Sequence, residues 1–137
     1  SRALRNRFVD APGSLGERLR AARWERFRRC FPGIEDMRVV DLGGTAEMWL
    51  RAPLRAQHVH LINLEEHPAG LPDWITAEVA DVTDEAVAAA LSAHGGYDLV
   101  FSNSVIEHVG GHGQRRRFAA AVESLAPRHW IQTPYRY

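Results

Sequence analysis

Polar and glycine residues follow four short apolar runs of this 137-residue sequence, and their types suit a nucleotide-binding edge. They are Asp41 with Gly43 and Gly44, Asn63 with Glu65, Asp81, and Ser102 with Asn103. Glycine has no side chain, so Gly43 and Gly44 let the backbone turn tightly after a strand and approach a ligand closely. Because open parallel sheets bind ligands at the carboxyl ends of their strands, we expect these residues to face one crevice.

A second candidate for chemistry is the pair Glu107 and His108, which follows the last of these runs. His108 would serve as a general base, since histidine titrates near neutral pH. The alternative is structural, with Glu107 bonding nearby backbone and His108 packing beneath the substrate opening. His108 and His112 also have the spacing of metal ligands on one helix face. Gly110 and Gly111 between them disfavour a regular helix and no third ligand is evident, so no metal site is predicted.

Strands and helices that would position these residues alternate along the sequence. Apolar runs predict strands at 37–42, 59–64, 76–80, 97–101 and 129–133. Helical spacing and end signals predict helices at 15–31, 46–50, 83–93 and 114–125, the third of them capped by Thr83. Such alternation is typical of an α/β fold with a doubly wound, mostly parallel sheet and right-handed crossovers. The sequence stops directly after the fifth strand, so we expect a sheet truncated there.

The first predicted helix begins with a capping box formed by Ser14 and Glu17. The residues at helical spacing on its expected core-facing side are Leu15, Leu19, Ala22, Phe27 and Cys30. Cys30 is the one cysteine of the sequence, so neither an internal disulfide nor a cysteine-based zinc site can form. We expect Cys30 to be a packed thiol.

Length and composition indicate a single domain, since 137 residues with 45% hydrophobic content form one core and not two. Within it, residues 1–34 are expected to form an N-terminal arm and basic helix, and 35–137 the α/β domain. No apolar run approaches the roughly 20 residues needed to cross a bilayer, and nothing resembles a secretory signal. A cytoplasmic location is therefore expected.

Charge is balanced overall, with 17 basic and 17 acidic residues, but it is unevenly distributed. Residues 1–34 carry nine arginines and three acids, whereas 35–107 carry three arginines and thirteen acids. One interpretation is a solvated basic helix, and the other is an arginine-rich edge that attracts an anion. No RNA- or DNA-binding motif accompanies the arginines, so a nucleic-acid partner is not expected.

Four segments, VVDLGGTAE, LINLEE, ADVTD and YDLVFSNSVIEHV, resemble the class I S-adenosylmethionine-dependent methyltransferases in order and spacing. The group often labelled methyltransferase type 11 is the nearest in pattern, and the resemblance covers residues 38–134. It implies a Rossmann-like methyltransferase fold with S-adenosylmethionine as cofactor. The implied reaction is methyl transfer to a small-molecule acceptor, with a hydroxyl favoured and His108 as its base.

The resemblance also implies roles for individual residues around the ribose. Asp41, Gly43 and Gly44 would belong to the loop that wraps the methionine and ribose part of the donor. Asn63 stands where the family usually has an acid that bonds the ribose hydroxyls, and Glu65 is a possible substitute for that acid on the same strand face.

The remaining implied contacts lie at the two ends of the donor. Leu64 would pack against the adenine, Asp81 would accept a hydrogen bond from its amino group, and the Val82 backbone N–H would donate one to the ring. Ser102 and Asn103 would line the methionine end near the sulfur.

The glycine loop departs from the family pattern, because Thr45 and Glu47 stand at its second and third glycine positions. A second hypothesis is therefore a catalytically silent donor-binding or interaction module that requires a partner chain or a further C-terminal segment. A nicotinamide-dinucleotide loop is another alternative, but the G-x-G-x-x-G pattern is absent. The edge strand at 129–133 would be left open, which predicts association into a homo-oligomer.

Overall fold

Five strands and four helices alternate in the computed structural model, which describes residues 15–103 and 111–132. The strands are β1 (Arg38–Leu42), β2 (His58–Asn63), β3 (Ile75–Val79), β4 (Leu99–Asn103) and β5 (Arg128–Gln132). The helices are α1 (Leu15–Cys30), α2 (Ala46–Arg51), α3 (Glu85–His94) and α4 (His112–Leu125), with a 3₁₀ turn at Ile34–Asp36. Each predicted element is present, and its ends lie within two residues of the expected positions.

The strands form one sheet in the order β3-β2-β1-β4-β5, and every neighbouring pair is parallel. The prediction of a doubly wound parallel sheet is therefore confirmed. Starting at β1, the chain proceeds outward to β3 and then returns to the other side of β1 as β4. The order of strands reverses between β1 and β4, and such a reversal opens a crevice at the carboxyl ends of the strands.

Two apolar layers cover the sheet, because successive strand residues point to opposite faces. Val39 and Phe101 belong to the layer under α1 and α2, which includes the fully buried Trp49. Val40 belongs to the layer under α3 and α4, which includes Phe118. The central strands β1 and β4 are buried on both faces over most of their length, as their mainly apolar sequences predict.

The side of α1 that packs on the sheet differs from the predicted side. Leu15 and Leu19 are 71% and 54% exposed, so their assignment to the core was wrong. The residues on the inward side, at i, i+3, i+4 and i+7, are Arg20, Arg23, Trp24 and Phe27. Aromatic contacts set this orientation, since the Trp24 ring stacks on Phe101 at a centroid distance of 5.9 Å.

Two smaller predictions were also wrong. Cys30 is an exposed free thiol, because the neighbouring Phe31 packs against the core instead. Helix α3 is capped by Asp84, whose side chain accepts from the Ala86 N–H at 2.9 Å, and not by Thr83.

Candidate functional site

A cavity of about 530 Å³ lies at the carboxyl ends of β1, β2 and β3, and we call it the strand-tip cavity. It is lined by Leu42, Gly43, Thr45, Ile62, Asn63, Leu64, Glu65, Ala80, Asp81, Val82, Thr83, Gln114 and Phe118. The volume falls within the range of about 300–1,000 Å³ that is typical of small-molecule sites. The cavity combines an apolar floor with a polar rim, as such sites do.

The strand-tip cavity brings together some of the predicted cofactor residues and leaves out others. Gly43, Asn63, Leu64, Glu65, Asp81 and Val82 line it. Asp41, Gly44, Ser102 and Asn103 are not among its lining residues. The expectation that all four strand ends face one crevice is therefore met by three of them.

The glycine loop after β1 is held in place by Asn63. The Asn63 side-chain amide donates to the carbonyl oxygens of Gly43 at 3.2 Å and Gly44 at 3.0 Å. Its side-chain oxygen accepts from the Glu65 backbone N–H at 3.3 Å. Gly43 has a φ of 90°, which a residue with a side chain rarely adopts. Both ends of the Asn63 amide are thus engaged with the protein, and Glu65 lies just beyond the strand instead of on its face.

Asp41 lies beneath this loop and is fully buried. The Trp49 indole N–H donates to Asp41 Oδ2 at 2.6 Å, while Oδ1 has no hydrogen-bond partner among the described residues. Burial raises the pKa of Asp41 to about 7, and the bonds from Trp49 and the Gly44 backbone N–H act in the opposite direction. A Cβ placed at Gly44 would lie 1.9 Å from Asp41 Oδ2, so this position admits only glycine without a rearrangement.

Ser102 and Asn103 point to opposite faces of β4, since consecutive strand residues alternate. The buried Ser102 hydroxyl donates to the Leu42 carbonyl at 3.1 Å and ties the ends of β4 and β1 together. Asn103 faces α1 and α2, where its amide approaches Met48 Sδ at 3.9 Å. Neither side chain reaches the strand-tip cavity.

At the β3 end of the cavity, a tight turn presents a carboxylate. Asp81 Oδ1 accepts from the Thr83 backbone N–H at 2.9 Å and from the Thr83 hydroxyl at 2.6 Å. These two bonds fix the carboxylate and leave Oδ2 available to accept from a ligand. Leu64 is 70% exposed on the rim, opposite the half-buried Val82.

Seven residues that line the strand-tip cavity were not among the predicted site residues: Leu42, Thr45, Ile62, Ala80, Thr83, Gln114 and Phe118. Thr45 caps α2 by accepting from the Met48 N–H at 3.4 Å, so its position follows from the cap it forms. Gln114 and Phe118 have i, i+4 spacing at the start of α4, which places them on one side of that helix. That spacing was the available signal, but the sequence did not show that the helix start overhangs the strand ends.

Glu107, His108 and the other residues of 104–110 lie outside the described residues. Within 15–103 and 111–132, no group of three His, Cys, Asp or Glu side chains is arranged to hold a metal ion. No helix in this part of the chain has the length and apolar content that a membrane span requires.

Several solved structures that are similar to this chain are methyltransferases. The N-methyltransferase NodS from Bradyrhizobium japonicum WM9, in complex with S-adenosylhomocysteine, aligns with a TM-score of 0.61 and 12% identity over 90% of this chain and 66% of its own. SAM-bound CalS10, an amino pentose methyltransferase from Micromonospora echinaspora, aligns with a TM-score of 0.64 and 17% identity. The alignment covers 98% of this chain and 55% of CalS10. The methyltransferase MycE, in complex with Mg, S-adenosylhomocysteine and mycinamycin VI, aligns with a TM-score of 0.54 and 16% identity. The alignment covers 78% of this chain and 30% of MycE.

These likenesses concern the fold, since the identities are low and the chain spans less than two thirds of the length of NodS and CalS10. No protein-family model and no curated protein matches the chain.

Proposed function

We propose that this chain, which has the class I methyltransferase fold, binds S-adenosylmethionine in the strand-tip cavity and transfers its methyl group to a small molecule. The observation that supports this most directly is the cavity itself. It lies at the carboxyl ends of β1 to β3, where a ligand of this fold is expected, and it has the volume and mixed polarity that an adenosyl group requires.

The β3 side of the cavity suits the adenine. Leu64 and Val82 offer apolar surface for the ring, and Phe118 offers an aromatic one. Asp81 Oδ2 would accept from the exocyclic amino group, because Asp81 Oδ1 is already occupied by Thr83.

The middle of the cavity suits the ribose, with Glu65 as its acceptor. Asn63 uses its amide on the glycine loop and its oxygen on the Glu65 N–H, so it is poorly placed to bond the ribose as well. The Glu65 carboxylate is exposed on the cavity rim and bonds hydroxyl groups more strongly than a neutral amide does. We therefore assign ribose binding to Glu65 and loop positioning to Asn63.

The loop at Gly43 and Gly44 would lie against the methionine part of the donor. Its backbone is free of side chains, which allows close approach. Asp41 is buried beneath the loop, where the Trp49 indole holds its carboxyl group, and it does not line the cavity.

When bound, the cofactor supplies a methyl carbon on a sulfonium, so that attack by the acceptor forms the new bond to carbon while the carbon–sulfur electron pair remains on sulfur. The positive charge disperses during this step, and the protein contributes mainly alignment and the exclusion of water. A hydroxyl acceptor must also lose its proton. We assign His108 as the base that accepts this proton, on sequence grounds alone.

Calorimetry with S-adenosylhomocysteine tests the donor site. We expect micromolar binding that Asp81→Asn weakens about tenfold, since the variant keeps an oxygen for Thr83 and replaces Oδ2 by a group that cannot accept a hydrogen bond. Asp73→Asn, an exposed position outside the cavity, is the matched control and should bind normally. Equal affinities for both variants would refute the adenine assignment.

A methyl-transfer assay separates an enzyme from a silent donor-binding module. An active enzyme forms S-adenosylhomocysteine in the presence of an acceptor, and His108→Ala should lower the rate without changing donor affinity. Donor binding with no transfer to any acceptor tried would favour the silent module.

A further inference from the structure

The inward side of α1 carries two arginines where a packed helix normally has apolar residues. Arg20 and Arg23 share this side with Trp24 and Phe27, whereas Leu15 and Leu19 lie exposed on the surface. Such an arrangement is unfavourable for packing alone, because half-buried guanidinium groups lose part of their hydration. An anionic ligand bound by Arg23 would explain why this arginine lies on the inward side.

A small cavity of about 60 Å³ lies between these arginines and the ends of β4 and β5, and we call it the arginine cavity. Besides Arg20 and Arg23, its polar lining residues are Asn103 and Gln132, and no acidic residue lines it. Among the described residues, the Arg23 side chain makes no hydrogen bond or ion pair. The arginine cavity is therefore electropositive, with a guanidinium ready to bind a carboxylate or a phosphate.

A larger cavity of about 680 Å³ between α1 and α2 adjoins the arginine cavity, and its charged lining residues are Glu17, Arg20, Glu47 and Arg51. Arg20, Trp24 and Met48 line both the arginine cavity and this interhelical cavity. Thr45 lines both the interhelical cavity and the strand-tip cavity. A molecule held by its anionic group in the arginine cavity would thus extend along Trp24 and Met48 toward the glycine loop.

We propose that these two cavities form the acceptor site and that the acceptor is an organic anion, with a carboxylate or phosphate on an aromatic or apolar body. This inference rests on the proposed methyl transfer for its purpose, but anion binding can be measured without the donor. Arg23 acts as the specificity-determining residue, and Trp24 provides surface for the body of the molecule.

The test compares three probes that share a phenyl ring and differ in charge: 4-hydroxybenzoate, phenyl phosphate and the neutral 4-hydroxybenzamide. Binding to the whole chain is followed by tryptophan fluorescence, since Trp24 lines both cavities. We expect at least one of the two anions to bind about tenfold tighter than the amide, the effect of one charge-assisted hydrogen bond. The ratio between the two anions then shows whether the site prefers a carboxylate or a phosphate.

Arg23→Gln should remove this preference while leaving the affinity for the amide and for S-adenosylhomocysteine unchanged. Arg26→Gln is the matched control, because Arg26 lies exposed on the same helix and outside both cavities. Equal binding of anions and amide, no binding of either anion at millimolar concentration, or equal effects of the two variants would overturn the inference. Failure of S-adenosylhomocysteine to bind would instead overturn the proposed donor site.

Discussion

Replacing Asn63 by aspartate would restore the residue type that the methyltransferase resemblance leads one to expect, yet we predict that it weakens donor binding. In the structure, the Asn63 amide donates to two carbonyl oxygens, at 3.2 and 3.0 Å. A carboxylate has no hydrogen to donate and would place negative charge against both carbonyls. The loss of two hydrogen bonds at about 0.5–1.5 kcal/mol each amounts to roughly 1–3 kcal/mol, before any repulsion is included.

The loss of these hydrogen bonds would mainly affect the position of the glycine loop, because both carbonyls belong to Gly43 and Gly44. We expect Asn63→Asp to lower the affinity for S-adenosylhomocysteine about tenfold or more by calorimetry, and to lower the free energy of unfolding by a similar amount. Gln57→Glu, the same change from amide to acid at an exposed site at the other end of the sheet, is the control. Tighter donor binding by Asn63→Asp would refute the reasoning, since it would show that residue 63 faces the ribose and not the loop.

Two further predictions concern the support beneath the loop. Gly44→Ala places a Cβ against Asp41 Oδ2 and should abolish donor binding and cost roughly 1–3 kcal/mol of stability, whereas Gly33→Ala, with nothing within 4 Å, should have little effect in the same titration and melt. Because the pKa of Asp41 is raised from 3.8 to about 7 in the folded state, the stability of the wild type should fall by roughly 4 kcal/mol as pH rises from 4 to above 7. Burial lowers the pKa of His60, so this residue makes the stability rise with pH instead. The effect of Asp41 is therefore measured as the free energy of unfolding of the wild type minus that of Asp41→Asn, both from urea unfolding at each pH. Parallel stability curves for the two proteins would contradict the prediction.

The sheet was predictable from sequence because its signals are local. Continuous apolar runs such as Leu99 to Phe101 indicate strands buried on both faces, and glycine or proline marks their ends. The inward side of α1 was not predictable in this way. The spacing of Leu15 and Leu19 indicated one side of the helix, whereas Trp24 packs on Phe101, which lies far along the chain and could not be identified as its partner from sequence.

The site was predicted more coarsely than the fold, for a related reason. Strand ends are visible in sequence, but the direction of a side chain depends on the strand register and on the turn that follows. Asn63 and Ser102 both carry polar groups at strand ends, and both bond backbone carbonyls of the chain instead of opening toward a ligand. The sequence showed the arginines of α1 only as a charge pattern, and the inward position of Arg20 and Arg23 became visible only through the packing of Trp24.

The most direct test of the donor site is a titration of the isotope-labelled chain with S-adenosylhomocysteine, followed by the NMR signals of its backbone amides. The account predicts saturable shifts at Gly43, Leu64, Val82 and Thr83, which surround the strand-tip cavity. Amides near the opposite ends of the strands, such as Val59, should remain unchanged. Shifts concentrated at those opposite ends, or no shifts at millimolar ligand, would contradict the account.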